Sequence, residues 1–232
     1  MSPPATPPGR YAPEQLLGPL SEAERRHAPE WLYAEGDLGL LRGAARVAIV
    51  GTRKSSPEGD RRARKLAAQL AREGILVASG LAAGIDTAAH EAAIAAGGRT
   101  LAVIGTPLDQ AYPRQNRDLQ RRIAAEHLLL SPFAPGAPVS PANFPKRNQV
   151  TVLIAQITVI LEAGERSGTR QLGWEAIRLG RPLLLARSLV DAPGLTWPAK
   201  MLGYGAQVLD DLGSIMRLLP FIEGTGFPLS RE

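Results

Sequence analysis

Arg46-Val-Ala-Ile-Val-Gly51, continued by Thr52-Arg-Lys-Ser-Ser56 and Pro57, is the stretch that decides the fold. An unbroken apolar run ending on glycine suits a strand buried on both faces of a parallel sheet. Pro57 suits the first turn of a helix, and Ala63, Leu66, Ala67 and Leu70 keep helical spacing up to Gly74. The same alternation then recurs. Strands are expected at 75–79, 100–105, 128–131, 157–162, 182–186 and 207–209, and helices at 87–96, 117–126, 146–156, 170–179, 198–204 and 211–219. Strands alternating with helices call for right-handed crossovers and a sheet covered on both sides. The expected class is α/β: a Rossmann-like doubly wound, mostly parallel sheet with helices on both faces, over residues 45–220.

Residues 1–44 differ in character. Pro3, Pro4, Pro7, Pro8 and Pro13 argue against regular structure, so a disordered leader is expected rather than a signal peptide. Ser21 then caps a short charged helix over 22–27, and Pro29-Glu-Trp-Leu-Tyr33 reads as an apolar strap into the main domain. Residues 221–232 read as a tail. No apolar run approaches the ~18 residues of a membrane span, and a cytoplasmic protein is expected. The chain has no cysteine, which excludes disulfides and thiolate chemistry, and three scattered histidines (27, 90, 127) make a metal centre a poor fit. Neither metal nor cofactor is expected. Twenty-seven Lys and Arg against 22 Asp and Glu give +5, most of the cations being arginine, the side chain that grips phosphate bidentately. A basic pI is one footprint of nucleic-acid binding, and arginine-rich composition from a GC-rich genome is the other explanation.

Four loops should converge where the strands end, each opening a helix whose free N–H groups attract phosphate. The first is Gly51-Thr52-Arg53, where glycine allows a sharp turn and Arg53 offers a guanidinium. The second, Ser79-Gly80-Leu-Ala-Ala-Gly-Ile-Asp86, leads into a helix on which Asp86 and His90 lie four apart and form a structural bracket. A nucleophile set of Ser79, Asp86 and His90 is the weaker reading of that loop. Phe144-Pro-Lys146-Arg147-Asn148 supplies a ring, two cations and an amide; Ser167-Gly168-Thr169 supplies a small-residue turn. Tyr112-Pro-Arg114-Gln-Asn116 caps a further helix and brings Arg114 and Arg117 towards the crevice. Gly-x-Gly-x-x-Gly is absent and Ser79, not an acid, ends the second strand, which argues against NAD.

In order and spacing, Gly51-Thr-Arg53, Ser79-Gly-x-Ala-x-Gly-Ile-Asp-x-x-Ala-His90, Tyr112-Pro-x-x-Asn116, Phe144-Pro-x-Arg-Asn148 and Glu162-Ala with Ser167-Gly168 resemble the DNA-processing protein A (DprA/Smf) family. That family shares a superfamily with the LOG phosphoribohydrolases. The resemblance runs from about Pro29 to Ala206. It implies an extended Rossmann fold that binds and protects single-stranded DNA without hydrolysing it, loads a RecA-type recombinase in DNA uptake and recombination, and works as a homodimer. It also implies phosphate contacts from Arg53, the amides around Thr52, Lys146, Arg147 and Asn148, a base or sugar contact from Phe144, and backbone donors at Ser167-Gly168.

Departures from the family pattern include Gln149-Val-Thr-Val-Leu153 after Arg-Asn, Pro132 in place of a glutamate, Leu172-Gly173 in place of Thr-Ala, and Arg187-Ser188 in place of Pro-Gly. The N-terminal helical and C-terminal winged-helix-like domains of many members are expected to be reduced or missing. Two other functions use the same crevice. A LOG-like hydrolase needs a glutamate where Leu172 stands, with Glu175 one turn beyond; a nucleotide sensor needs no catalysis. The apolar residues Trp197, Met201, Leu202, Ile215, Met216, Leu218, Leu219, Phe221 and Phe227 suggest a dimer face late in the domain.

Overall fold

The computed structural model describes residues 6–219. Its elements are β1 (Thr6–Tyr11), α1 (Pro13–Leu17), α2 (Glu22–His27), β2 (Leu32–Gly36), β3 (Arg46–Gly51), α3 (Pro57–Arg72), β4 (Leu76–Ser79), α4 (Ile85–Ala95), β5 (Thr100–Val103), α5 (Arg117–Glu126), β6 (Leu128–Ser131), α6 (Asn143–Ile154), β7 (Ile157–Glu162), α7 (Gly168–Arg178), β8 (Leu183–Ala186), α8 (Arg187–Val190), α9 (Trp197–Gly203), β9 (Gln207–Leu209) and α10 (Leu212–Met216). Short 3-10 turns at Leu38–Leu41 and Arg114–Asn116 complete the path. The nine strands form one sheet in the order β1-β2-β6-β5-β4-β3-β7-β8-β9. The seven strands expected from the sequence pair in parallel, while β1 and β2 add an antiparallel edge.

The disordered-leader expectation is corrected over the described part of the N-terminus. Thr6–Tyr11 pairs with β2, and the strap is itself a strand that pairs with β6. Pro7 and Pro8 fall where the register shifts between Thr6 and Gly9, at the outer edge of the sheet. Proline is tolerated there because no ladder N–H is needed. Behind this edge, Ser21 caps α2 as its sequence predicts, and Glu24 reaches Arg181 across the domain at 2.5 Å.

Two faces of β3 set the layers. Val47 and Ile49 point into a core with α3, α4 and α10, whereas Ala48 packs beneath α6 and Val50 beneath α7 and α9. The chain winds outward from β3 to β6, then returns to the other side of β3 as β7. That reversal opens a crevice beyond the carboxyl ends of the central strands. Among the described residues no helix is long and apolar enough to cross a membrane.

The proposed dimer face is largely used up by this packing. Trp197, Met201, Ile215 and Leu219 are buried against the protein's own sheet, Leu202 and Leu218 are half-buried, and only Met216 is exposed. The argument from surplus apolar residues therefore fails over this stretch; Phe221 and Phe227 lie outside the described residues.

His90 is fully buried, and its Nδ1 lies 2.7 Å from Thr100 Oγ1, which in turn donates to the Val77 carbonyl at 2.7 Å. Nδ1 is therefore the donor, and Nε2 has no protein partner. Burial, with His127 and Arg147 nearby, pushes the imidazole down to about 3. Because the folded value lies below the unfolded one, the folded state keeps His90 neutral while the unfolded chain takes up a proton below about 6.5. His90 thus contributes full stability above that pH and loses it as pH falls towards 3. Urea unfolding between pH 7 and 5 should show stability falling by about 1.4 kcal/mol per unit once below 6.5. His90→Gln should flatten that slope; parallel profiles for the two proteins would contradict the account.

Candidate nucleic-acid interface

The four loops do converge. A cavity of about 480 Å³ is lined by Gly51, Thr52 and Arg53 after β3, Gly80 and Asp86 around the start of α4, Phe144, Arg147 and Asn148 on α6, and Ser167, Gly168 and Thr169 at α7. Arg114 and Lys146, both exposed, are not among its lining residues, and neither is Arg117. Arg166 and Gln171 line it as well, although the sequence reading left them out of the site.

One helix start and one loop are already occupied by carboxylates of the protein's own. Glu162, at the end of β7, accepts from the Ser56 N–H at 3.1 and 3.2 Å and from the Ser56 hydroxyl at 2.9 Å, neutralising the start of α3. Gly59 makes this possible, since a Cβ there would come within 1.8 Å of the carboxylate. At the second loop, Asp86 accepts from the N–H groups of Gly80 at 3.2 Å and Ala82 at 3.3 Å. The start of α7 differs: Ser167 Oγ accepts from Thr169 N, Thr169 Oγ1 donates to the Gly51 carbonyl, and among the described residues no carboxylate is bonded there. Arg53 at the rim is exposed.

Arg147 is anchored by the protein's own acceptors at the crevice. It is only 6% exposed, with Nη1 donating to the Val103 carbonyl at 3.1 Å and lying 4.0 Å from Asp86. Burial lowers its pKa, opposed by Asp86. Burial likewise raises Asp86, opposed first by Arg147 and then by the two amides. Gly80 is required beneath it, because a Cβ would sit 1.4 Å from Nη1. Arg147 forms the base of the crevice, and its Nε carries no protein partner among the described residues.

The rim is aromatic and cationic. Arg53 lies over the Phe144 ring at 4.7 Å, and Tyr112, 48% exposed, tilts against the same ring at 5.3 Å. Phe144 rests on Gly105, where a Cβ would meet the ring at 2.9 Å. Phe144 and Arg53, both singled out from the sequence, meet at this rim, and Tyr112, given no role there by the sequence reading, joins them.

The Asp86–His90 bracket does not form as expected: Asp86 serves the loop and Arg147, while His90 turns to Thr100. Ser79 is fully buried with its hydroxyl donated to the Ile49 carbonyl, so no nucleophile set assembles. Leu172 lines the crevice, and Glu175 is held away from it by His27 at 3.3 Å and Arg178 at 2.7 Å.

Fold and site define a doubly wound α/β protein with a glycine- and arginine-lined crevice at its switch point. The sequence profile of the DNA recombination-mediator protein A family matches residues 11–220, and the chain belongs to that family. It is 40% identical over 163 residues to DNA processing protein DprA of Streptococcus pneumoniae, covering 70% of this chain and 57% of that one. An X-ray structure of the Streptococcus pneumoniae DprA superposes with a TM-score of 0.78 at 32% identity, covering 90% of this chain and 73% of the other. DNA processing protein A of Helicobacter pylori, whose structure is reported for its single-stranded DNA binding mode, also gives 0.78, at 25% identity over 92% of this chain and 96% of that one. The chain spans between about half and two thirds of the length of curated relatives such as those of Streptococcus pneumoniae and Bacillus subtilis (57% and 65%).

Removing one member of a buried ion pair leaves the other charge uncompensated. Asp86→Ala should cost about 3–5 kcal/mol in chemical denaturation. Combining it with Arg147→Met should recover much of that loss. Equal destabilisation of the single and double variants would show that the pair is not a unit.

Proposed function

We propose that this protein binds single-stranded DNA, with a backbone phosphate at the α7 start and Arg53, and a base against the Phe144–Tyr112 rim. The observation that carries the reading is the Arg53–Phe144–Tyr112 ladder standing over an anion-competent crevice. Single strands are held by a basic groove beside rings on which bases stack. The single-stranded DNA binding reported for the Helicobacter pylori relative supports it. On this reading the protein acts in the cytoplasm in DNA processing, protecting the strand and assisting a RecA-type recombinase, as a homodimer whose interface lies outside the buried residues of α9 and α10. It acts by binding, not turnover. Leu172 offers no carboxylate to an oxocarbenium ion, and Glu175 is engaged elsewhere.

Anisotropy titrations with single- and double-stranded oligonucleotides across salt test this reading. The single strand should bind tighter and with a steep salt dependence. Arg53→Ala should flatten the log–log slope by about 0.7, and Phe144→Ala should cost about 1–3 kcal/mol of affinity. Equal binding of both strand types, or unchanged slope and affinity in the variants, would contradict it. Displacement by micromolar mononucleotide would favour the sensor reading instead.

A further inference from the structure

Trp174 and Tyr204 form an aromatic pair that the crevice does not use. Their rings meet edge-to-face at 5.4 Å and 80°. Tyr204 is 71% exposed, the most exposed of the large hydrophobic side chains among the described residues, and Trp174 is half-buried. The pair is placed by Gly173. A Cβ there would meet Met201 and Ile160 at about 3 Å, so glycine lets α9 lie close against α7 and brings Tyr204, just past the end of α9, onto the Trp174 ring.

This pair lies just beyond the crevice lining along α7. Gln171 lines the crevice, and Trp174 follows it by one helical turn along α7, a rise of about 4.5 Å. Exposed Lys200 stands one turn before Tyr204, and Arg170, engaged with Glu165, one turn before Trp174. The acids nearest in sequence are occupied, Glu165 by Thr196 and Arg170, Glu175 by His27 and Arg178. A ring pair with one exposed member, one helical turn beyond the crevice lining and with an exposed lysine beside it, has the features of a base-stacking platform.

We propose that Trp174 and Tyr204 form a second stacking subsite for bases of the same DNA strand as it leaves the crevice along α7 and α9. The inference rests on the single-strand reading above and adds a direction and an extent to it. The other two tryptophans lie elsewhere: Trp197 is buried, and Trp31 sits beside Arg10 at the β1–β2 edge. All three emit, so the part of any DNA-induced change that is lost in Trp174→Phe is the part that reports on Trp174.

Oligothymidine of about 20 nucleotides should quench tryptophan emission, and Trp174→Phe should abolish the quenching while the protein still binds. Tyr204→Ala should weaken binding of that oligomer about 5- to 150-fold, yet leave an oligomer of about 5 nucleotides unaffected, because the short strand fills only the crevice. If the wild type binds the long oligomer without quenching, or Tyr204→Ala weakens both lengths equally, the subsite is overturned while the crevice reading stands. A change of oligomeric state in Tyr204→Ala by light scattering, with DNA affinity unchanged, would assign the pair to a second copy of the chain and overturn it too. A wild type that binds no single strand would overturn both readings.

Discussion

A guanidinium buried as deeply as Arg147 must find acceptors within the protein, and it finds them at the end of one strand and the start of one helix. The Val103 carbonyl closes β5, and Asp86 opens α4, so one side chain ties α6 to the loops after β4 and β5. The tie in turn fixes Phe144, one turn earlier on α6, against Gly105 and under Arg53. The rim of the crevice depends on a charge that is itself withdrawn from the solvent. Its net cost is contained because Asp86 is also held by two backbone amides, so that neither charge is left bare.

The same logic explains why the crevice is directional. A doubly wound sheet creates several positive helix starts at its switch point, and each attracts whatever anion is nearest. Here Glu162 and Asp86 satisfy the starts of α3 and the α4 loop from within. The start of α7 has no such internal carboxylate among the described residues, and the guanidinium of Arg53 is exposed. Internal carboxylates therefore narrow a general phosphate-binding topology to one side of the crevice, the side from which α7 leads away past Gln171.

Much of this was legible in the sequence, and the exceptions have physical causes. The buried parallel strands are continuous apolar runs, so they stand out. β1 did not, because the Pro7-Pro8 pair that usually forbids a strand lies in a register shift at an edge. The loops of the crevice were legible from their glycines, whereas the inward facing of Arg147 on α6 is read only from helical phase. Arg147 stands three residues before Val150 and seven before Ile154, both buried, which phases it inward, while its neighbour Lys146 points out. Helical phase, rather than charge, separates those two cations. The roles of Glu162 and Asp86 as internal anions depend on contacts between residues as far as 106 positions apart, which no local pattern encodes. The dimer argument failed for a similar reason, since Trp197 and Met201 are consumed by α7 and the sheet edge.

The account's central claim is that the strand's phosphate is taken at the α7 start beside Arg53, with the α3 start sealed by Glu162. A crystal structure of the protein with a short oligothymidine tests this most directly. The account predicts a backbone phosphate within hydrogen-bonding distance of the Gly168 region and Arg53, with Glu162 still on Ser56. A phosphate seated at Ser56 in place of the Glu162 carboxylate, or a strand bound away from the crevice, would contradict it.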